Sequence, residues 1–158
     1  GGTVVPMMMQ WNKKIKPQTN YTQMVSLLDI VPTILDAVES PSLSNKYDGV
    51  SLLPFLDSNI DKPHNELFWK TGYVKSIISG NFKLHINEKE NFKFLINLID
   101  DPGERNNLIS KYPEKAEELT LKWNNWNKGL QQPKWDSNAD VIIPVDNSEN
   151  SKRYYFPW

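Results

Sequence analysis

The chain has 158 residues, enough for one ordinary domain or two small lobes. Eighteen Lys and Arg stand against nineteen Asp and Glu, a net charge of -1, so no single-sign field is available to steer nucleic acid or an anionic membrane surface. There are no cysteines, which excludes disulfides and thiolate metal sites. No apolar run approaches the roughly 20 residues that span a bilayer.

The chain opens on Gly1-Gly2-Thr3 without a methionine and without a visible signal peptide. It reads as a processed or recombinant piece whose start, with any export signal, lay upstream. Val4 to Trp11 (VVPMMMQW) predicts a short strand, with Pro6 placing it at an edge or delaying its start. Its three methionines are expected as core filler rather than metal ligands. Lys13 to Gln23 is a polar loop punctuated by Pro17. Met24 to Glu39 predicts a helix. Ser26 and Asp29 resemble a capping box ahead of it, and Asp29 as N-cap is the alternative start, leaving Pro32 in the first turn. Apolar residues lie nearly all round this helix, so it should be buried on several sides. Tyr47-Asp48-Gly49 is a turn, Ser51 to Leu56 a short apolar segment broken by Pro54, and the main boundary is expected in the polar stretch Asp57 to Asn65.

From Glu66 onward, short β-rich runs alternate with turn residues. Phe82, Leu84 and Ile86 alternate with Lys83, His85 and Asn87, the period of a strand with one wet face. Three or four such strands make an antiparallel meander. A helix follows, opened by Pro113, with Ala116, Leu119, Trp123, Trp126 and Leu130 on one stripe facing the sheet and Gly129 as a stop. The tail, residues 131–158, has no clear period; its aromatic end RYYFPW is expected to dock on something.

The densest cluster of ionisable groups is IDDPGERNNL, residues 99–108. Asp101 fits as an N-cap, Pro102 as the first residue of a short helical turn and Glu104 as the third, a capping box worth about 1 kcal/mol. A general acid or base needs a cleft, which a surface corner does not supply, so the structural reading is preferred. His85 falls on the wet phase of a strand and is expected to be solvated. His64, in the loop before the meander, is the better candidate for touching a substrate, because loops at domain junctions often reach active sites. Of the six tryptophans, Trp135 and Trp158 lie outside the helix and strands; tail docking is preferred over stacking on sugars or bases. No phosphate loop, H-E-x-x-H or G-x-S-x-G occurs, and the chain holds no constellation capable of catalysis.

Taken in order, these segments resemble the C-terminal third of the sulfatase family, within the alkaline-phosphatase-like superfamily. GGTVVPMMMQWNKKIKP is similar to the family's E-G-G-x-R-V-P…W-P-G-x-I-x-P, and VSLLDIVPTILDAVE to its V-S-x-x-D…P-T…L-D helix. YDGVSLLPFL resembles D-G-x-S-L-x-P, and ELFWK, SGNFKLHIN and FLINLIDDPGERNNL resemble the strands leading to L-Y-D-L-x-x-D-P-x-E-x-x-N-L. The family arginine falls on Val4, and the proline and glycine of W-P-G fall on Asn12 and Lys13.

The resemblance implies an α/β class, in detail an α+β fragment. Residues 1–60 would be the terminal strand and helix of the catalytic domain, 61–130 an antiparallel sheet packed on a C-terminal helix, and 131–158 an irregular aromatic tail. It implies a parent that hydrolyses sulfate esters of a glycan or an aryl group, using a formylglycine nucleophile and a calcium ion, neither of which maps onto this chain. The chain would complete the fold, with His64, Trp69 and Lys70 as candidates for one wall of the substrate cleft. Its partner would be the N-terminal catalytic region, and residues 1–60 should expose a large apolar patch when isolated. A periplasmic, secreted or lysosomal setting is implied, without nucleic acid or membrane span. The alternatives are a phosphodiesterase or phosphonate hydrolase of the same superfamily, and a stand-alone module binding protein or carbohydrate.

Overall fold

Ser26 opens the helical part of the chain. The computed structural model describes residues 5–40, 47–56, 62–131, 134, 140–144 and 153–157, and the chain divides into two compact units, residues 1–67 and 68–158. In the first unit, Ser26 Oγ accepts the Leu28 amide at 3.3 Å and Asp29 Oδ2 accepts the Ser26 amide at 2.7 Å, which is the capping box. The box starts a 3-10 turn, Leu27–Asp29, that runs straight into helix α1, Ile30–Ala37. Both starting points read from the sequence are therefore used, one by each element. Pro32 lies in the first turn of α1, where its missing N–H has no intrahelical partner to lose. The helix is shorter than Met24–Glu39, and Glu39 leaves it with φ 52.

Two contacts tie α1 to the segment after it. Thr33 Oγ1 donates to the Asp29 carbonyl at 2.6 Å and accepts the Leu52 amide at 2.9 Å. Ser51 Oγ donates to Asp36 Oδ2 at 2.5 Å. Gly49 permits the approach: a Cβ there would lie 2.1 Å from the Leu28 carbonyl oxygen, so no side chain fits without moving the backbone.

The burial in this unit is inverted. Among its described residues, the buried ones are Asp29, Thr33 and Leu52, two polar and one apolar. Leu27, Leu28, Val31, Ile34 and Val38 are exposed, between 47% and 68%. The expectation of a helix apolar on more faces than its own chain covers holds. The methionines do not act as core filler: Met7, Met8 and Met9 are all exposed, Met8 at 97%. Residues 5–11 form no strand. A strand takes its backbone hydrogen bonds from a neighbour, and the described sheets, β1-β2-β3-β4 and β5-β6, include no strand from this segment.

Four strands, β1 Glu66–Thr71, β2 Val74–Ser79, β3 Phe82–Asn87 and β4 Phe92–Asn97, form one sheet in the order β1-β2-β3-β4, which belongs to the second unit from Phe68 onward. β2 to β4 are antiparallel neighbours, with Leu84 opposite Ile77 on one side and Leu95 on the other. Gly80 takes φ 58 at the first position of the two-residue β2–β3 turn, the place a primed hairpin turn gives to glycine. Helix α2, Pro113–Asn127, starts on its proline. Ala116, Leu119 and Trp123 are buried with Ile77, Leu84 and Leu95 in one core, while Trp126 is partly buried on its edge. Leu130 of the expected stripe lies beyond the helix and is exposed.

The wet face expected of β3 is covered. Lys83 and Asn87 are buried and His85 is half-buried. Lys83 is satisfied by Glu104, with Nζ to carboxylate distances of 2.8 and 2.9 Å, and Asn87 Oδ1 accepts the Glu90 amide in the β3–β4 turn. The tail read as irregular contains a two-stranded antiparallel ribbon, β5 Asp140–Pro144 paired with β6 Arg153–Pro157. Trp135 and Trp158 lie outside the described residues.

Candidate functional site: the Asp29–His64 clasp

The most polar buried point of the first unit is the Asp29 carboxylate, which is fully buried. Its Oδ2 holds the Ser26 amide, its Oδ1 accepts the Val50 amide at 3.0 Å, and His64 Nε2 lies 2.9 and 2.8 Å from the two oxygens. A carboxylate only accepts, so the imidazole tautomer with hydrogen on Nε2 fits this geometry. One side chain thus joins three stretches of chain, at residues 26, 50 and 64. Local sequence marks Asp29 as a cap; that it also receives His64, 35 residues away, is a tertiary fact with no local signal.

Of the sequence-derived site residues, His64 is the one placed in this cluster. Trp69 and Lys70 sit on β1 in the second unit. The Trp69 carbonyl accepts the indole N–H of Trp123 at 3.1 Å, and Lys70 Nζ donates to Asn127 Oδ1 at 2.9 Å. His64 and Lys70 therefore have side-chain partners within the chain, while Trp69 is bonded through its main-chain carbonyl.

The 99–108 corner is structural, but not the capped helical turn that its spacing predicts. Asp101 Oδ2 accepts the amides of Arg105 and Asn106, both at 2.7 Å, closing an irregular loop in which Glu104 adopts φ 54. These backbone bonds, the Asn106 amide first, hold the Asp101 carboxyl below its usual range. Glu104 points to Lys83 instead of back to the chain before it. Asn107 acts as a surrogate strand on β4, accepting the Leu95 amide at 3.1 Å and donating to the Lys93 carbonyl at 2.9 Å. The positive φ of Glu104, rather than Pro102, stops a helical turn here, because a left-handed residue cannot continue one.

His85 is the most perturbed titratable group. Burial, then the nearby Lys83 charge, lower its pKa from 6.5 to about 4, with Glu104 opposing. It is neutral in the native state and protonates more readily unfolded. Its contribution to stability is complete above pH 6.5 and falls as pH drops toward 4; the shift corresponds to about 3 kcal/mol. Urea midpoints of the chain should therefore decline from pH 7 to pH 4, and His85→Gln should flatten that slope; an unchanged slope in the variant rules His85 out as its source.

Among the described residues no group of three His, Asp or Glu side chains is placed to hold a metal ion. No described helix is long and apolar enough to cross a membrane.

Residues 2–128 match the family model described as N-sulphoglucosamine sulphohydrolase, C-terminal, and the chain belongs to that family. The sulfatase YdeN of Escherichia coli is 47% identical over 75 residues, 46% of this chain and 13% of YdeN. A sulfatase of Schizosaccharomyces pombe, PB10D8.02c, is 29% identical over 136 residues, 78% of this chain and 24% of its own length. The crystal structure of Ps i-CgsB superposes with a TM-score of 0.66 at 21% identity, over 79% of this chain and 29% of that one. BT1596, described as a 2-O GAG sulfatase, gives 0.54 at 26% identity, over 64% of this chain and 24% of its own. The chain spans about a quarter or less of the length of the curated relatives it matches.

Proposed function

We propose that this chain completes the catalytic domain of a sulfuric ester hydrolase by offering the apolar face of α1 to the N-terminal catalytic region of the same enzyme. The observation that carries the reading is the inverted first unit: one apolar side chain buried among the described residues, with six in and around α1 exposed, Leu27, Leu28, Ile30, Val31, Ile34 and Val38. Monomeric proteins seldom leave such a surface uncovered. The relatives and their lengths supply the kind of partner. A sulfated glycan is the favoured substrate, on the strength of the glycosaminoglycan sulfatase among the structural relatives; an arylsulfatase, arylsulfatase K of the dog, is also among the relatives, at 26% identity.

In this reading the formylglycine and the calcium ion belong to the N-terminal region, which supplies the nucleophile and the charge that steadies the sulfate group. Residues 1–60 form the end of the α/β domain and 61–130 the small subdomain. His64 is a positioning residue, since Asp29 holds its Nε2, while Trp69 and Lys70 form part of the substrate wall. The family resemblance also supports an exported enzyme.

The purified chain should bind a hydrophobic dye, self-associate and show no turnover of an aryl sulfate with calcium. Adding the N-terminal region should abolish dye binding and produce turnover. A dye-silent monomer, or turnover by the chain alone, contradicts the proposal.

A further inference from the structure

The first 28 residues contain three lysines and no acidic residue, the first carboxylate of the chain being that of Asp29. Lys13, Lys14 and Lys16 are all exposed on a single loop. This loop wraps a depression of about 770 Å³ lined by residues 9–19. Trp11 forms part of the wall, and Lys14 Nζ lies 5.9 Å from the centre of its ring. The loop is held by its own backbone: the Lys14 and Ile15 amides both bond the Trp11 carbonyl, at 3.1 and 2.9 Å. Thr19 Oγ1 caps the Lys16 carbonyl at 3.0 Å.

Two features set this loop apart from an ordinary solvated turn. Lys13 sits at φ 67, the left-handed region that glycine adopts freely and a long side chain does not. Strain of that kind persists where something other than stability favours the residue. Among the described residues, none of the three ammonium groups forms an ion pair. Lysines are almost never buried without a partner. This face is therefore built to stay in water, whereas the face of α1 is built to be covered.

We propose that the depression binds a sulfated oligosaccharide, with Lys13, Lys14 and Lys16 on its sulfate groups and the Trp11 ring against the apolar face of a sugar. The proposal rests on the sulfated-glycan reading given under Proposed function. An indole beside clustered ammonium groups matches a ligand that alternates C–H faces with anionic esters, and charge-assisted bonds to such oxygens are the stronger kind.

The test is titration calorimetry of the full chain with a heparin-derived hexasaccharide, its desulfated counterpart and a single-stranded DNA of equal charge. Substituting all three lysines by Gln should weaken hexasaccharide binding about tenfold or more, while Gln at Lys89, Lys93 and Lys111 should leave it within about twofold. Lys13→Gly alone should weaken binding and raise the thermal midpoint, because it relieves the strained backbone as it removes a cation. The desulfated sugar should not bind, and the DNA should bind at least about tenfold more weakly than the hexasaccharide. Three results overturn the proposal: unaltered binding by the triple variant, equal loss in the control variant, or equal affinity for DNA, which marks a general polyanion surface. Aryl sulfate turnover by the chain combined with its N-terminal region needs none of these lysines. Hexasaccharide binding without turnover therefore overturns only the sulfatase reading, and turnover without lysine-dependent binding overturns only this site.

Discussion

Asp29→Ala is expected to destabilise the first unit by about 3–5 kcal/mol, the range for removing one member of a buried polar pair. The carboxylate is fully buried and is the acceptor for two backbone amides, at Ser26 and Val50, and for His64 Nε2. Alanine leaves all three donors without that acceptor in a part-buried site, and an unsatisfied buried donor costs about 1–3 kcal/mol. The unit has little else to hold it, Leu52 being its one buried apolar side chain among the described residues. Hydrogen exchange at the Val50 and Leu52 amides should accelerate together, since both bonds depend on the same helix start. Asp29→Asn keeps one acceptor oxygen but sets an NH2 group toward a donor, so it should fall between wild type and alanine. His64→Ala should cost less than Asp29→Ala, because the two backbone amides keep their partner. A change below about 1 kcal/mol in Asp29→Ala would remove the clasp from the account of this unit.

Trp123→Ala is expected to cost the second unit about 3–5 kcal/mol, the usual figure for deleting a buried aromatic side chain. Trp123 is 1% exposed at the centre of the helix–sheet core. It meets Trp126 edge-on at 5.8 Å, lies under Lys75 at 4.5 Å, and gives its indole N–H to the Trp69 carbonyl. The last bond ties α2 to β1, so its loss should be felt in exchange at the β1 edge as well as in the global midpoint. Trp123→Phe keeps most of the ring and loses the hydrogen bond, and should recover all but about 1–2 kcal/mol. Trp126→Ala should be milder, since that ring is only partly buried, though it stacks on Phe68 at 4.9 Å. Denaturation followed by circular dichroism measures the series. A Trp123→Ala protein within about 1 kcal/mol of wild type would mean that the core lies elsewhere.

The meander, the helix stripe and the capped start of α1 were readable because each rests on contacts close in sequence or on a simple period. Strand alternation marks Leu84 and Ile86, spacings of three and four mark Ala116, Leu119 and Trp123, and Ser26 with Asp29 spells out its own cap. The family was readable for a related reason: turn and cap residues such as Asp29, Gly49 and Asp101 must fall in fixed order to make these corners. Periodicity fails where a position is covered by something far along the chain. Lys83 and Asn87 carry the polar phase of β3 yet are buried, because Glu104 and the β3–β4 turn fold over them. The 99–108 corner took a different backbone from its capping-box spacing: the Asp101 carboxylate accepts from the amides four and five residues on, at Arg105 and Asn106.

By itself the sequence determined the order of elements, the family, and the fact that α1 is too apolar to stand alone; these depend on residue type at short spacing. Tertiary structure alone decided that Asp29 receives His64 and that Met7, Met8 and Met9 lie outside. Such facts depend on which distant groups meet and which surfaces find no cover, and chain closure over 35 residues leaves no trace in local pattern.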